Sequence, residues 1–203
     1  MKYLDEEIVK RKQDEKRKEF YDLRTGMYVK ERLIQFKRAY LEETDVTIAL
    51  PVDFVTMPES IKKIKYPVES RPSLVKTSLD TSVNFSFTRT AQGMRENQLP
   101  MASKQMRMII QRMNPANIFF EEGQDVTDFS YPFCWFDYKS YALDDQIYNF
   151  MYLMLLSQKI ILHGCFNCKF ELGKEWKDIV QQVIKTITIG NQAGGYADEG
   201  TKN

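Results

Sequence analysis

The chain has 203 residues, of which 43% are hydrophobic and 28% charged, and its 29 Lys and Arg against 28 Asp and Glu leave a formal net charge of +1. This composition supports a globular core within one domain plus an extension. A chain so close to neutrality lacks the positive excess with which proteins bind nucleic acid or an anionic membrane surface, so neither partner is expected.

The sequence predicts a cytoplasmic protein. Its start, MKYLDEEIVKRK, has no apolar stretch of the kind that forms a secretory signal. The most apolar window, IYNFMYLMLLSQKIIL, is short and is interrupted by Ser157, Gln158 and Lys159, so membrane insertion is not predicted. The 3 cysteines have no regular spacing, which suits a reducing compartment better than a disulfide framework.

Residues 1 to 43 are predicted to form a charged helical extension. Up to about residue 24 the apolar side chains, including Phe20 and Leu23, are too sparse among the charges for a core stripe, as in a solvated helix. After Thr25-Gly26, apolar residues recur at helical spacing, which predicts a second helix up to Leu41. A hairpin across Thr25-Gly26 is the alternative.

An α+β domain is predicted over residues 44 to 189. DVTIALP alternates as a half-buried strand does, and a loop with at most a short helix follows it. SLVKTS and VNFSFTRT indicate two strands across a turn at Leu79-Asp80-Thr81. Between Ala102 and Met113, apolar residues that include Met106, Ile109 and Ile110 predict a helix, which Asn114-Pro115 ends.

The remaining segments predict an antiparallel sheet with helices packed on its faces. ANIFFEEG, YPFCWFDYKS, QIYNFMYLMLL and KIILHGCFNCKF read as sequential strands, and the third is apolar on both alternating faces, which is typical of a central strand. From Trp176 to Ile187 the apolar residues keep helical spacing, so an amphipathic helix closes the domain. Residues 190 to 203 are predicted to be a disordered polar tail.

The HGCFNC segment raises the question of a metal or redox centre. In a strand, His163 and Cys165 lie on one face and Cys168 lies on the other, so the three side chains cannot coordinate one metal ion unless the strand has a bulge. Cys134 lies in another predicted strand. Small apolar core fillers are therefore the favoured interpretation of the cysteines, and no metal or cofactor is expected.

No catalytic constellation stands out. The chain has 1 histidine and no Gly-x-Ser-x-Gly or dinucleotide fingerprint, so no catalytic residue is predicted. Asp137 is expected to face solvent or to cap a loop. An enzyme or small-molecule binder with a cleft between sheet and helices, using Asp137 and His163 as titrating groups, is the alternative.

An excess of aromatic residues is the remaining signal. Phe136, Tyr138, Tyr148 and Tyr152 are predicted to share one sheet face, where the rings serve core packing or, as the candidate binding site, a partner. The charged amino-terminal helix buries too little apolar surface to be ordered alone, so Phe20 and Leu23 are predicted to contact a partner, a second copy or the domain.

The order of elements from residue 45 to 189 is strand, loop, two strands, helix, four strands and closing helix. Together with VTIALPVDF, VNFSFTRT, CWFDYKS and FNCKFELGKEWKDIVQQVIKTI, this order resembles the PsbP-like/Mog-like fold, and within it the bacterial DcrB-like domains. Members of that fold group include a photosystem subunit, a Ran-binding import factor and secretion chaperones.

The resemblance implies a non-enzymatic protein that binds another protein. An adaptor or chaperone for a secreted bacterial effector is the function expected from it. The alternative function is that of a structural domain that associates with itself as a homodimer.

Overall fold

The computed structural model of the protein describes residues 19–69, 71–142 and 145–191. The strands before the first helix are β1 (Tyr21–Asp22), β2 (Gly26–Val29), β3 (Arg32–Ile34), β4 (Phe36–Leu41), β5 (Val46–Pro51) and β6 (Val55–Thr56). The helices are α1 (Glu59–Lys65), α2 (Leu99–Met113) and α3 (Gly173–Lys185). The other strands are β7 (Leu74–Thr77), β8 (Asn84–Thr90), β9 (Ile118–Val126), β10 (Pro132–Tyr141), β11 (Gln146–Ser157), β12 (Ile160–Lys169) and β13 (Thr188–Ile189).

Residues 26 to 41 form strands, so the predicted helix up to Leu41 is wrong. β2 and β3 pair across a turn at Lys30 and Glu31, where Lys30 has a φ of 52°. β4 pairs with β5, so the predicted domain boundary at residue 43 separates two paired strands. The helix was predicted because apolar spacings of three and four residues also occur in short strands that are joined by tight turns. The boundary was misplaced because the sequence of one segment does not show which distant strand it pairs with.

The hairpin alternative at the start of the chain is confirmed. β1 and β2 pair antiparallel, with Asp22 opposite Gly26. Gly26 has a φ of 97°, a conformation that glycine adopts readily. The predicted helix over residues 1 to 24 lies mainly outside the described residues, as does the predicted polar tail from residue 192 onward.

The main sheet has seven antiparallel strands in the order β6-β7-β8-β12-β11-β10-β9. The four strands predicted after residue 115 form a continuous antiparallel meander, as expected. β11 lies inside the sheet and is buried from Tyr148 to Leu156, which confirms its predicted central position. The turn predicted at Leu79-Asp80-Thr81 joins β7 and β8.

Two cores cover the two faces of the main sheet, which confirms the predicted α+β architecture. The face under α3 holds the larger core, where Trp176 and Val180 of α3 pack on Phe85 and Phe166 and on the β4–β5 pair. The opposite face is covered by α2, which packs through Leu99, Met106 and Ile110. We call these the α3 face and the α2 face.

The helix boundaries follow the sequence. α2 begins with Leu99-Pro100. Proline is favourable in the first turn because the N–H groups there have no acceptor within the helix. α2 ends before Asn114-Pro115, as predicted. α3 buries Trp176, Ile179 and Val183 among the apolar residues of its inner side. Among the described residues, no helix combines the length and the hydrophobicity that a membrane crossing requires.

Candidate functional site

The histidine and the cysteines of HGCFNC alternate between the faces of β12, as predicted. Cys168 packs in the core of the α3 face, whereas Cys165 packs against the cluster on the α2 face. Cys134 pairs with Leu153, and Leu153 pairs with His163, so Cys134 and His163 are two strands, or about 10 Å, apart. In the part of the chain that the structure describes, no group of three or more His, Cys, Asp or Glu side chains could hold a metal ion.

Burial controls the protonation of these side chains. It raises the pKa of Cys134 to about 11 and that of Cys165 to about 12, and it also raises the pKa of Cys168. It lowers the pKa of the His163 imidazole, which favours the neutral form. A protonated thiol is a poor nucleophile and a poor metal ligand, so the cysteines have the chemistry of small core residues.

The aromatic residues predicted to share one face are divided between the two faces, so that prediction is wrong. Phe136 pairs with Met151 and lies with Tyr138 on the α2 face. Tyr148 and Tyr152 lie on the α3 face, because they stand an odd number of residues from Met151 in the same strand. The side chains of all four residues are at most 9% exposed, so they offer a partner almost no ring surface. Their direct contact with a partner stays a prediction.

Phe20 and Leu23 lie at the start of the described chain. The Phe20 ring meets the Tyr28 ring edge-on, with centroids 5.6 Å apart. Leu23 is partly buried against the core of the α3 face. The Phe20 contact lies within the β1–β2 region, whereas the Leu23 contact joins this region to the domain. The partner-binding role of both residues stays a prediction.

Asp137 is 1% exposed, so the prediction that it faces solvent or caps a loop is wrong. Its Oδ1 accepts a hydrogen bond from the backbone N–H of Glu121 at 2.7 Å. Its Oδ2 accepts a hydrogen bond from the Tyr148 hydroxyl at 2.9 Å and lies 2.8 Å from Lys177 Nζ. The register of β9 shifts opposite Asp137, and this bulge turns a backbone donor toward the carboxylate.

Lys177 joins this cluster to α3. Its ammonium lies 2.9 Å from the Glu121 carboxylate and 5.3 Å from the centre of the Trp135 ring. Partial burial alone would lower the pKa of Lys177, but the carboxylates of Asp137 and Glu121 outweigh it and raise that pKa. Burial, and then the charge of Asp137, raises the pKa of Tyr148. Both groups therefore stay protonated donors, and the cluster acts as a clamp between α3 and β9, β10 and β11.

Asp137 and His163 do not share a cleft. Asp137 pairs with Phe150 on the α3 face, whereas His163 pairs with Leu153, which packs on the α2 face. The sheet therefore separates the two titrating groups of the enzyme alternative.

Helix α2 exposes a row of apolar side chains that the sequence interpretation missed. Met101 is 61% exposed, Met108 42%, Ile109 56% and Met113 79%. At 3.6 residues per turn they span about 140° of the helix circumference. We call these four residues the α2 stripe. Ile109 and Met113 contributed to the spacing that predicts this helix, but spacing alone does not tell which apolar residues of α2 meet the sheet.

The charges on α2 are all basic. Arg107 lies 3.6 Å from Glu122 of β9, but among the described residues no carboxylate pairs with Lys104 or Arg112. Between α2 and the β9–β10 pair there is a groove of ≈ 410 Å³, lined in part by Ser103, Lys104 and Cys134. The α2 stripe thus contains one cation without a described carboxylate partner, Arg112, and is flanked by a second, Lys104, which also lines the groove.

Comparison with solved structures shows which fold this is. The cyanobacterial PsbP protein of Synechocystis superposes with a TM-score of 0.57 and 7% identity, over 81% of this chain and 98% of that chain. The Ran-binding protein Mog1p of Saccharomyces cerevisiae gives a TM-score of 0.54 and 10% identity, over 77% and 96% of the two chains. This chain has the PsbP/Mog-like fold. The predicted fold is therefore confirmed.

A further protein with a similar structure is LpqN of Mycobacterium tuberculosis, with a TM-score of 0.53 and 10% identity over 84% of this chain and 98% of LpqN. It is described as involved in cell envelope biogenesis. No protein-family model matches the chain, and no curated protein sequence does. At these identities the likeness shows the PsbP/Mog-like fold alone, and a closer relation to DcrB-like domains stays a prediction.

Proposed function

We propose that this protein is a non-enzymatic adaptor that binds another protein through the α2 stripe. The observation that carries the proposal is the exposure of Met101, Met108, Ile109 and Met113 on one helix. Single exposed apolar residues are normal on a protein surface, whereas a row of them rimmed by polar residues marks an interaction site. Methionine suits such a site because its flexible side chain adapts to the shape of a partner.

The charges define the chemistry of the partner. Lys104 lies at the edge of the α2 stripe and Arg112 lies within it, both without a described carboxylate partner, so an acidic segment with apolar anchors complements this surface. A second copy meeting α2 face to face would bring the same basic side chains together. Like charges at such an interface are unfavourable, so charge favours an acidic partner over a homodimer at this helix.

The fold supports the same class of function. Mog1p, which has this fold, is a Ran-binding protein, so the fold is compatible with binding a protein partner. The finer form of the proposal is an adaptor or chaperone for a secreted bacterial effector, acting in the cytoplasm. This finer form stays a prediction, which the identity of a captured partner would decide.

A quantitative capture experiment tests the proposal. The tagged full chain, a stripe variant carrying Met108→Gln, Ile109→Gln and Met113→Gln, and a control variant carrying Ile64→Gln and Val68→Gln are compared in the same extract. The control residues are 81% and 57% exposed but lie on and after α1. We expect a protein that the wild type and the control retain and that the stripe variant loses about tenfold or more. Equal retention by all three folded proteins would refute the proposed surface.

A further inference from the structure

We propose that the α2 stripe is a modification site, at which hydrogen peroxide converts the thioethers of Met101, Met108 and Met113 into sulfoxides and thereby switches off partner binding. The place of the modification follows from the exposure of these side chains and from the burial of the thiols. Its effect on binding rests on the function proposed for the α2 stripe. The two parts are therefore tested by separate measurements.

The exposed thioethers of the described chain all lie on α2. Met101, Met108 and Met113 are 61%, 42% and 79% exposed. In the part of the chain that the structure describes, every other methionine side chain is half-buried or buried. A peroxide molecule must reach the sulfur atom to oxidise it, so it reacts with the methionines of the stripe before those of the core.

The thiols, by contrast, are protected from peroxide in this fold. Cys134 and Cys168 are 4% and 1% exposed. Burial raises the pKa of Cys134 to about 11 and that of Cys165 to about 12, so these thiols stay protonated at neutral pH. Peroxide reacts with the thiolate, and a buried, protonated thiol therefore reacts slowly. The sulfur that the described residues offer to peroxide is thioether sulfur.

The reaction transfers one oxygen atom. The thioether sulfur takes it from hydrogen peroxide and is oxidised by two electrons, the peroxide is reduced, and water leaves. The sulfoxide is polar and accepts hydrogen bonds, so covering it with an apolar anchor of a partner is unfavourable. Methionine sulfoxide reductases reverse the change, which makes the modification a switch.

The fold leaves room for this change. α2 packs on the sheet through Leu99, Met106 and Ile110, and the methionines of the stripe are exposed. Oxidation of the α2 stripe therefore alters the binding surface while the packing of α2 on the sheet remains.

Mass mapping of the folded full chain tests the place of the modification. Aliquots are taken during treatment with hydrogen peroxide at neutral pH, and the gain of one oxygen atom is followed at each methionine. We expect the three stripe methionines to react at least about tenfold faster than the buried Met57 and Met154, while the cysteines stay reduced. In the urea-unfolded chain these methionines should react at similar rates. Equal rates in the folded chain, or oxidation of the cysteines before the stripe, would overturn the proposal.

A variant carrying Met101→Leu, Met108→Leu and Met113→Leu tests the switch. Leucine keeps the apolar surface but has no sulfur to oxidise. After peroxide, the wild type should elute earlier from a phenyl column and should retain about tenfold less of the protein captured from the extract, whereas the leucine variant should change in neither measurement. Methionine sulfoxide reductases A and B should restore the wild type.

Three results would overturn the switch: unchanged elution of the oxidised wild type, undiminished capture by it, or an equal loss of capture by the peroxide-treated leucine variant. Failure of the proposed function looks different. In that case the unoxidised variant with Met108→Gln, Ile109→Gln and Met113→Gln would retain the captured protein as well as the wild type does.

Discussion

Tyr152 of β11 lies directly opposite Gly164 of β12, and its ring covers the glycine so closely that a Cβ atom at position 164 would lie 2.0 Å from Tyr152 Cζ. Trp135 and Gly123 repeat the relationship between β10 and β9, where a Cβ atom would meet the indole ring at 2.8 Å. In both pairs the missing side chain makes room for a ring on the α3 face. Glycine at these positions is therefore required by cross-strand packing.

Gly164→Ala should lower the free energy of unfolding by about 2 kcal/mol or more, because the new methyl group forces the buried Tyr152 ring out of place. Urea unfolding at equilibrium measures this. Gly93→Ala is the control, since a Cβ atom there has its nearest contact at 3.8 Å, and its effect should stay within about 0.5 kcal/mol. An effect of Gly164→Ala below about 1 kcal/mol would contradict the packing described for Tyr152.

Trp176→Ala should destabilise the protein by about 3 kcal/mol or more. The side chain is 2% exposed and packs between Phe85 and Phe166, so its removal leaves a cavity in the larger core. Lys174→Ala, at an exposed position of the same helix, should change the free energy of unfolding by less than about 0.5 kcal/mol. If chemical denaturation showed similar effects for the two substitutions, the description of α3 as a helix packed in the core would be contradicted.

Asp137→Ala should cost about 3 kcal/mol of stability, because it leaves the buried Tyr148 hydroxyl and the part-buried Glu121 N–H without an acceptor and takes one carboxylate from Lys177. Asp125→Ala is the matched comparison on the neighbouring strand. Asp125 also pairs with a lysine, Lys185, at 2.7 Å, but both side chains are 40% exposed, so the loss should be below about 1 kcal/mol. Equal losses in thermal or urea unfolding would mean that the clamp contributes no more than a surface ion pair.

The buried thiols should make the protein less stable at alkaline pH. Burial raises the pKa of Cys168, which is 1% exposed, whereas a thiol in the unfolded chain ionises near pH 8.5. Above that pH the folded state keeps a proton that the unfolded state has lost, so the free energy of unfolding falls by up to about 1.4 kcal/mol per pH unit for each such thiol.

Cys168→Ala tests this linkage. Between pH 8 and pH 10, under reducing conditions, the variant should lose about 2 kcal/mol less unfolding free energy than the wild type. The tyrosines contribute equally to both proteins, so they cancel in the comparison. Parallel stability curves for the two proteins would show that the Cys168 thiol ionises as readily in the folded state as in the unfolded state.

The sequence predicted those elements whose signal is local. The two apolar faces of β11, the inner side of α3 and the end of α2 at Asn114-Pro115 are all visible within one segment. The strands of residues 26 to 41 were missed because β4 is defined by its pairing with β5, which the apolar spacing does not encode. The order of the elements, together with segments such as VNFSFTRT and CWFDYKS, was nevertheless sufficient to suggest the fold.

The candidate site depended on contacts between distant segments. In the sequence, Asp137 is a polar residue between two aromatic residues. Its carboxylate is buried because the bulge in β9 and the distant residue Lys177 supply its partners, and neither can be inferred from the neighbouring sequence. The α2 stripe was hidden because Ile109 and Met113 fit the helical period as well as Met106 and Ile110 do. Which apolar residues of a helix meet the sheet is decided by its packing orientation, and the sequence of the helix alone does not specify that.

The affinity of the captured partner for the wild type and for the Met108→Gln, Ile109→Gln, Met113→Gln variant tests the central claim most directly. Titration calorimetry with both folded proteins should show binding to the variant weakened at least tenfold, or by about 1.4 kcal/mol, while Ile64→Gln with Val68→Gln leaves it unchanged. Equal affinity of the partner for the wild type and the stripe variant would contradict the claim that α2 is the binding surface.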